Sequence, residues 1–255
     1  MNHVNRHLVV MPASSNFREA IREAQSSALV GPNVVNKALP YVGGGMVLTA
    51  VGVLGGLTLL ASASPLFMPL FWAAFIGNFI LFFVARNVAM NGNNATALPL
   101  LAIYSLITGF TLSGLVSYAL VAAGVGAVGT AVLATGLTFV VASIVGRRMS
   151  DSVGQALSGA VGLGLIGLII AMVIQLIGGF FAPQVFTGGA FELMIAGFGT
   201  VLFVGAAFVD FYTMPRVYED EQYLAGALGM YLTYINLFIF ILRLIIALQG
   251  GGRRD

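Results

Sequence analysis

Mostly apolar stretches recur along the chain, separated by short polar breaks. A helix needs about 20 such residues to cross a hydrocarbon core of about 30 Å. Seven stretches qualify, at roughly 41–61, 66–86, 97–119, 121–146, 157–178, 190–213 and 224–248. The breaks carry turn chemistry: Ser62-Ala63-Ser64-Pro65, Asn91-Gly92-Asn93-Asn94, Arg147 to Asp151, Pro183, and Pro215 to Gln222. The third and fourth stretches divide least clearly, because Ala122 to Gly129 offers only small residues. Six spans and a re-entrant hairpin is the alternative partition. The pattern predicts an all-α, polytopic membrane helix bundle of seven transmembrane helices.

Composition agrees and removes whole classes of function. The chain has 255 residues, 59% hydrophobic and 8% charged, with mean hydropathy +0.99. A soluble domain carries about 25% charged residues. A water-soluble enzyme, a nucleic-acid binder and a disordered chain are therefore excluded. There is no cysteine, and the two histidines, His3 and His7, precede every span. The single lysine, Lys37, also lies before the first span. No catalytic residue, metal ligand set or cofactor is expected, and a retinal Schiff base has no lysine to form on. Ser113-Gly114 and Ser158-Gly159 lack a base within the spans, so serine nucleophiles are set aside.

Basic residues set the expected orientation. With the N-terminus in the cytoplasm, Arg6, Arg18, Arg22, Lys37, Arg86, Arg147, Arg148 and Arg216 all fall on the inner side, eight of the eleven. The outer loops 62–65, 119–124 and 179–189 contain no charge. Seven spans leave Arg253 and Arg254 outside, against the rule. The expected location is the cell inner (plasma) membrane. Three segments follow: a cytoplasmic tail 1–40, a transmembrane domain 41–248 and a short tail 249–255. The first tail lacks the pattern of a signal peptide. Ser14-Ser15-Asn16 before Glu19 marks a helix start, and Phe17, Ile21, Ala24 and Ala28 recur at helical spacing. Two readings stand: a short amphipathic helix on the anionic leaflet, or a partly ordered tail.

Glycine, at 33 residues, is concentrated within the spans. Gly52/Gly56, Gly109/Ser113 and the series Gly159, Gly162, Gly164, Gly167 form small-residue faces. Such faces let helix backbones approach closely in lipid, chiefly within one bundle, with self-dimerisation the lesser expectation.

Ionisable groups at membrane depth are the candidate functional residues, since each costs about 2.5–3.5 kcal/mol to insert. Arg86, Glu192, Asp210 and Arg243 qualify. Arg86 ends its span and can snorkel to headgroups. Asp210 closes the apolar run Val201-Leu-Phe-Val-Gly-Ala-Ala-Phe-Val-Asp210 and is too short to snorkel as far. It is a candidate proton-linked switch, or else a helix-end acid reaching water. Glu192 precedes it by 18 residues, about 27 Å along one helix face at 1.5 Å and 100° per residue. The antiparallel last span carries Asn236 and Arg243, which places Arg243 near the depth of Glu192. An outer ion pair Glu192–Arg243 is expected, more as a clamp than as a transport element.

In the C-terminal third, Tyr231-Leu-Thr-Tyr-Ile-Asn-Leu-Phe-Ile-Phe-Ile-Leu-Arg243 resembles the last helix of the Bax-inhibitor family (transmembrane Bax inhibitor motif proteins), whose pattern is close to L-Y-L-D-x-I-N-L-F-x-x-x-L-R. Phe203-Val-Gly-Ala-Ala-Phe-Val-Asp210 resembles its sixth helix. Leu106-Ile-Thr-Gly-Phe-Thr-Leu-Ser113 resembles its third, and Asn36-Lys-Ala-Leu-Pro-Tyr41 its entry to the first. The resemblance implies two three-helix sets around a central seventh helix. It further implies a pH-sensitive calcium leak gated by two hydrogen-bonded aspartates and an arginine. Asp210 matches the first aspartate and Arg86 the arginine, but the second aspartate falls on Thr233. Thr233 can donate a hydrogen bond to Asp210, yet the coupled titration of a carboxylate pair is lost. The turn Arg147-Arg-Met-Ser-Asp151 only approximates the family's basic-basic-acidic turn.

The expected function is a pH-responsive cation leak of that type, with Asp210, Arg86, Thr233 and Asn236 as proton sensor and gate. In its closed state Arg86 pairs with Asp210. Ca²⁺ or protons and the lipid bilayer are the expected partners. The alternative is a modulator of an ATP-dependent membrane protease, engaged through residues 1–40. A bacterial branch that the resemblance brings in also lacks the second aspartate.

Overall fold

A computed structural model describes residues 29–186 and 189–251. The expected amphipathic helix within the first tail, both histidines, Arg253 and Arg254 lie outside the described residues. The apolar stretches form seven helices long and apolar enough to cross a membrane. They are α1 (Val34–Ala61), α2 (Phe67–Met90), α3 (Asn94–Ala122), α4 (Val125–Val145), α5 (Asp151–Phe181), α6 (Gly189–Val217) and α7 (Tyr223–Gly251). A one-turn helix, Pro183–Phe186, lies between α5 and α6. Among the described residues there is no strand.

Two boundaries differ from the sequence pattern. Helix α1 starts at Val34, so residues 34–40 belong to the bundle and not to a tail ending at 40. Hydropathy missed them because Asn36, Lys37 and Pro40 interrupt the apolar run. Pro40 is tolerated near the helix start, where its missing N–H removes a single ladder bond. Similarly, α5 begins at Asp151 rather than at 157. The uncertain division between the third and fourth spans is a tight turn at Ala123-Gly124. Gly124 there has φ +81, a left-handed conformation that favours glycine.

Helix α7 is the centre of the bundle. It packs against α1, α2, α3, α4 and α6. Tyr231, Leu224, Leu228, Met230, Leu237 and Leu242, all on α7, are among the largest fully buried side chains of the protein. Around it α1, α2 and α3 pack on one another, and α6 gathers α4 and α5. Helix α2 is peripheral, with only Phe67, Ala85 and Ala89 buried.

Small residues decide the closest approach, between α1 and α3. A Cβ at Gly109 would strike the Thr49 carbonyl, one at Gly52 the Leu106 carbonyl, and one at Gly56 the Ser113 side chain. The α5 series behaves otherwise. Only Gly164 faces a neighbour, Leu202 on α6, whereas Gly159, Gly162 and Gly167 face open space.

Polar bonds tie the helix ends together on the side where α1 begins. The Asn33 backbone N–H donates to Asp220 Oδ1 (2.9 Å), and Lys37 pairs with the same carboxylate at 3.5 Å. Asn94 donates to the Glu221 carbonyl (2.8 Å), and Gln222 to the Met90 carbonyl (2.8 Å). These bonds fasten the turn before α7 to the ends of α1, α2 and α3.

Candidate functional site

Asp210 lies about two turns from the end of α6, where that helix runs against α7. Apolar side chains surround it on its own helix, with Ala206, Ala207 and Phe211 buried. From α7 the Thr233 hydroxyl reaches its carboxyl group as a hydrogen-bond partner. The other carboxylate oxygen, Oδ2, is buried without a partner among the described residues. An acceptor left unmet away from water carries its full desolvation cost, so this is a high-energy point in the bundle.

Four basic residues of the bundle are committed to other partners. On α1, Lys37 pairs with Asp220. In the turn before α5, Arg147 donates to Asn36 (2.9 Å) and lies over the Phe211 ring. Arg216, later on α6, pairs with Asp151 at 3.1 Å and stacks on Tyr212. The Tyr212 hydroxyl also donates to Asp151 (3.2 Å). Arg243 of α7 is held by Glu192.

Arg86 does not reach Asp210. It is exposed on α2, which packs mainly against α3, and it makes no ion pair with any described residue. The Arg86–Asp210 pair expected of a closed state is therefore absent from this structure. Asn236 is also separate from Asp210. It lies three residues after Thr233 on α7, only about 60° round the helix at about 100° per residue, yet that offset is enough to put it in the wall of the cavity that α2 and α3 close.

Glu192 and Arg243 come together at the opposite end of the bundle. Arg243 Nε donates to Glu192 Oε1 at 2.8 Å and Arg243 NH2 to Oε2 at 2.9 Å. This two-pronged geometry is the strongest form of the pair. Gln175 of α5 completes it, donating to Glu192 Oε2 (2.7 Å) and accepting from Arg243 (3.2 Å). It donates as well to the Phe186 carbonyl at 3.1 Å. Sequence reasoning passed over Gln175, although it is the single amide within the 157–178 stretch. The triad joins α5, α6 and α7 and holds the one-turn helix against them.

This chemistry is electrostatic and steric. Among the described residues no group of three or more His, Cys, Asp or Glu side chains gathers to hold a metal ion. What the arrangement offers is a buried acid between two central helices and a clamp at the far end.

Comparison with known proteins places this architecture. A family profile described as "Inhibitor of apoptosis-promoting Bax1" matches residues 31–250. An uncharacterized membrane protein of Streptococcus pyogenes serotype M1 is 32% identical over 193 residues, covering 73% of this chain and 76% of the relative. Its counterpart in serotype M6 matches to the same extent. Bax inhibitor 1 of Schizosaccharomyces pombe is 38% identical over 60 residues, 24% of this chain and 23% of its own. The match along nearly the whole bundle, with six helices arranged about a buried seventh, shows that the chain belongs to the Bax inhibitor family of multi-pass membrane proteins.

Proposed function

We propose that the protein is a pH-responsive cation leak that passes Ca²⁺, with Asp210 as the group that takes up the controlling proton. The observation that carries this reading is the Asp210 carboxylate between α6 and α7, with Oδ2 buried and unpaired. A buried acid without a cation partner responds to whatever reaches it, and a proton or a metal ion changes the charge between the two helices. Thr233 orients the carboxyl group but carries no proton of its own to exchange in this pH range. The response is therefore that of one titrating site, without the two-step behaviour of an aspartate pair. Ca²⁺ usually takes 6–8 oxygen ligands. One carboxylate and one hydroxyl supply too few for tight binding, so the ion is cargo in passage. Arg86 has the role of a free positive charge at the same end of the bundle, repelling cations.

The N-terminus is assigned to the cytoplasmic face of the cell inner membrane. This is supported by Lys37, Arg86, Arg147, Arg148 and Arg216 at one end, while the described turns 62–66, 123–124 and 182–186 at the other carry no charge.

The test is Ca²⁺ flux into dye-loaded proteoliposomes at mildly acidic and mildly alkaline pH, for wild type and Asp210→Asn. The expected result is a pH-dependent flux that Asp210→Asn renders pH-independent. No flux above empty liposomes at either pH overturns the leak. That outcome favours the second reading, supported by Thr233 in place of the second acid: a modulator of an ATP-dependent membrane protease, engaged through residues 1–40.

A further inference from the structure

Asn78 on α2, Thr108 on α3 and Asn236 on α7 each lie about halfway along their helices. This is the depth at which a bilayer offers only hydrocarbon. Asn78 Nδ2 donates to Thr108 Oγ1 at 3.0 Å, and Thr108 in turn to the Tyr104 carbonyl at 2.8 Å. Asn236 Nδ2 donates to the Leu232 carbonyl at 2.9 Å, while its Oδ1 meets no partner among the described residues. All three side chains line one cavity of about 480 Å³ between α2, α3 and α7. That volume is within the roughly 300–1,000 Å³ of small-molecule sites.

The wall defines what fits. It contains no Asp, Glu, Lys, Arg or His, so nothing there compensates a charged ligand stripped of water. Much of it is aromatic: Phe71, Phe75, Phe79 and Phe82 of α2, facing Tyr104 and Tyr231. Phe75 and Phe79 are 55% and 69% exposed, so the mouth opens sideways between helices into lipid. At mid-bilayer a phospholipid presents only its acyl chain. That chain covers the rings but leaves Asn236 Oδ1 unmet, which is costly in hydrocarbon.

We propose that this cavity binds a neutral, ring-bearing, lipid-soluble molecule of the quinone or quinol class. Its ring lies on the α2 phenylalanines in offset or edge contact. Its oxygens meet the two asparagines: a hydroxyl donates to Asn236 Oδ1, and an oxygen accepts from Asn78. Asp210 is not part of the wall, so the site is independent of the proposed leak.

Trp72, the only tryptophan, supplies a local reporter. Its ring is 6.1 Å from that of Phe75, edge to face. The full chain in nanodiscs is titrated with decylubiquinone, a short-chain quinone that quenches indole fluorescence. Wild type is expected to show saturable quenching. Asn78→Leu weakens the apparent affinity for this quinone about five- to tenfold, the loss of roughly one hydrogen bond. Asn236→Leu weakens by the same factor the displacement of the quinone by decylubiquinol, whose hydroxyl is the donor that Asn236 Oδ1 accepts from. Phe79→Ala, which changes no polar group, is expected to weaken quinone binding as well. On wild type alone, a non-quenching saturated-ring alcohol restores the fluorescence whereas dodecane does not. Linear, unsaturable quenching of wild type overturns the proposal, as does equal displacement by dodecane. Either result means that bulk lipid fills the cavity.

Discussion

Glu192 and Arg243 are 51 positions apart in the chain and 2.8 Å apart in the bundle, joined by two parallel bonds and roofed by Gln175. Their side chains are 22% and 17% exposed. Removing one partner of a buried pair leaves an uncompensated charge, at about 3–5 kcal/mol when burial is complete. The residual exposure puts this pair at or below the low end of that range. Arg243→Met and Glu192→Leu are each expected to lower the unfolding temperature in nanodiscs, and the double variant to lose less than the two single losses combined. Strict additivity of the two losses would show that they do not interact.

Gln175→Leu keeps the ion pair and removes three hydrogen bonds around it. The expected loss is smaller, about 1–2 kcal/mol. Protease nicking between α5 and α6 should rise with it, because Gln175 also anchors Phe186. Unchanged cleavage there would show that the one-turn helix is held by its apolar contacts.

Thr233→Asp restores a carboxylate beside Asp210. Two acids at hydrogen-bonding distance share protons, so the flux–pH profile should spread from one step to two. Thr233→Val, which removes the hydroxyl alone, should keep one step at altered amplitude. A wild-type profile already in two steps would contradict control by a single carboxylate.

Gly109→Ala forces a methyl group into the Thr49 carbonyl on α1, and backbone there has no room to yield. The variant is expected to lose at least 2 kcal/mol or to fail to assemble, as overpacked cores do. Gly162→Ala on α5 meets open space and should be neutral or slightly stabilising, since alanine is the better helix former by about 1 kcal/mol. Thermal unfolding of both variants in the same nanodiscs checks the contrast.

The natural absence of cysteine makes the chain a clean background for accessibility mapping. Ser62→Cys and Ser150→Cys occupy exposed positions at opposite ends of the bundle. In intact cells a membrane-impermeant maleimide is expected to label Ser62→Cys and to reach Ser150→Cys only after lysis. The reverse pattern would invert the proposed orientation.

Depth in the bilayer was legible from the residues alone. The length of hydrocarbon to be crossed dictates runs of about 20 apolar residues, and all seven appear as helices. Depth also placed Glu192 level with Arg243, and marked Asp210 as an acid without an easy route to water. The start of α1 was less legible, because Asn36, Lys37 and Pro40 read as polar tail until their partners in other helices are seen. Lys37 meets Asp220 and Asn36 meets Arg147, contacts that span more than 100 positions.

Rotation about each helix axis was decided by the tertiary structure. Hydropathy reports how deep a residue sits and says little about which way it faces when the whole helix is apolar. In α7 that angle sends Thr233 toward Asp210 and Asn236, three residues later, into a separate cavity. It leaves Arg86 on the periphery, away from the acid it was expected to pair with. It turns Gly52 and Gly109 into the α1–α3 contact and Gly159, Gly162 and Gly167 of α5 away from any neighbour. Water drives apolar segments into the membrane, but inside it the lipid is as apolar as the helices. Close packing of small residues and the few available polar bonds then choose the angles, and these depend on neighbours far away in the chain.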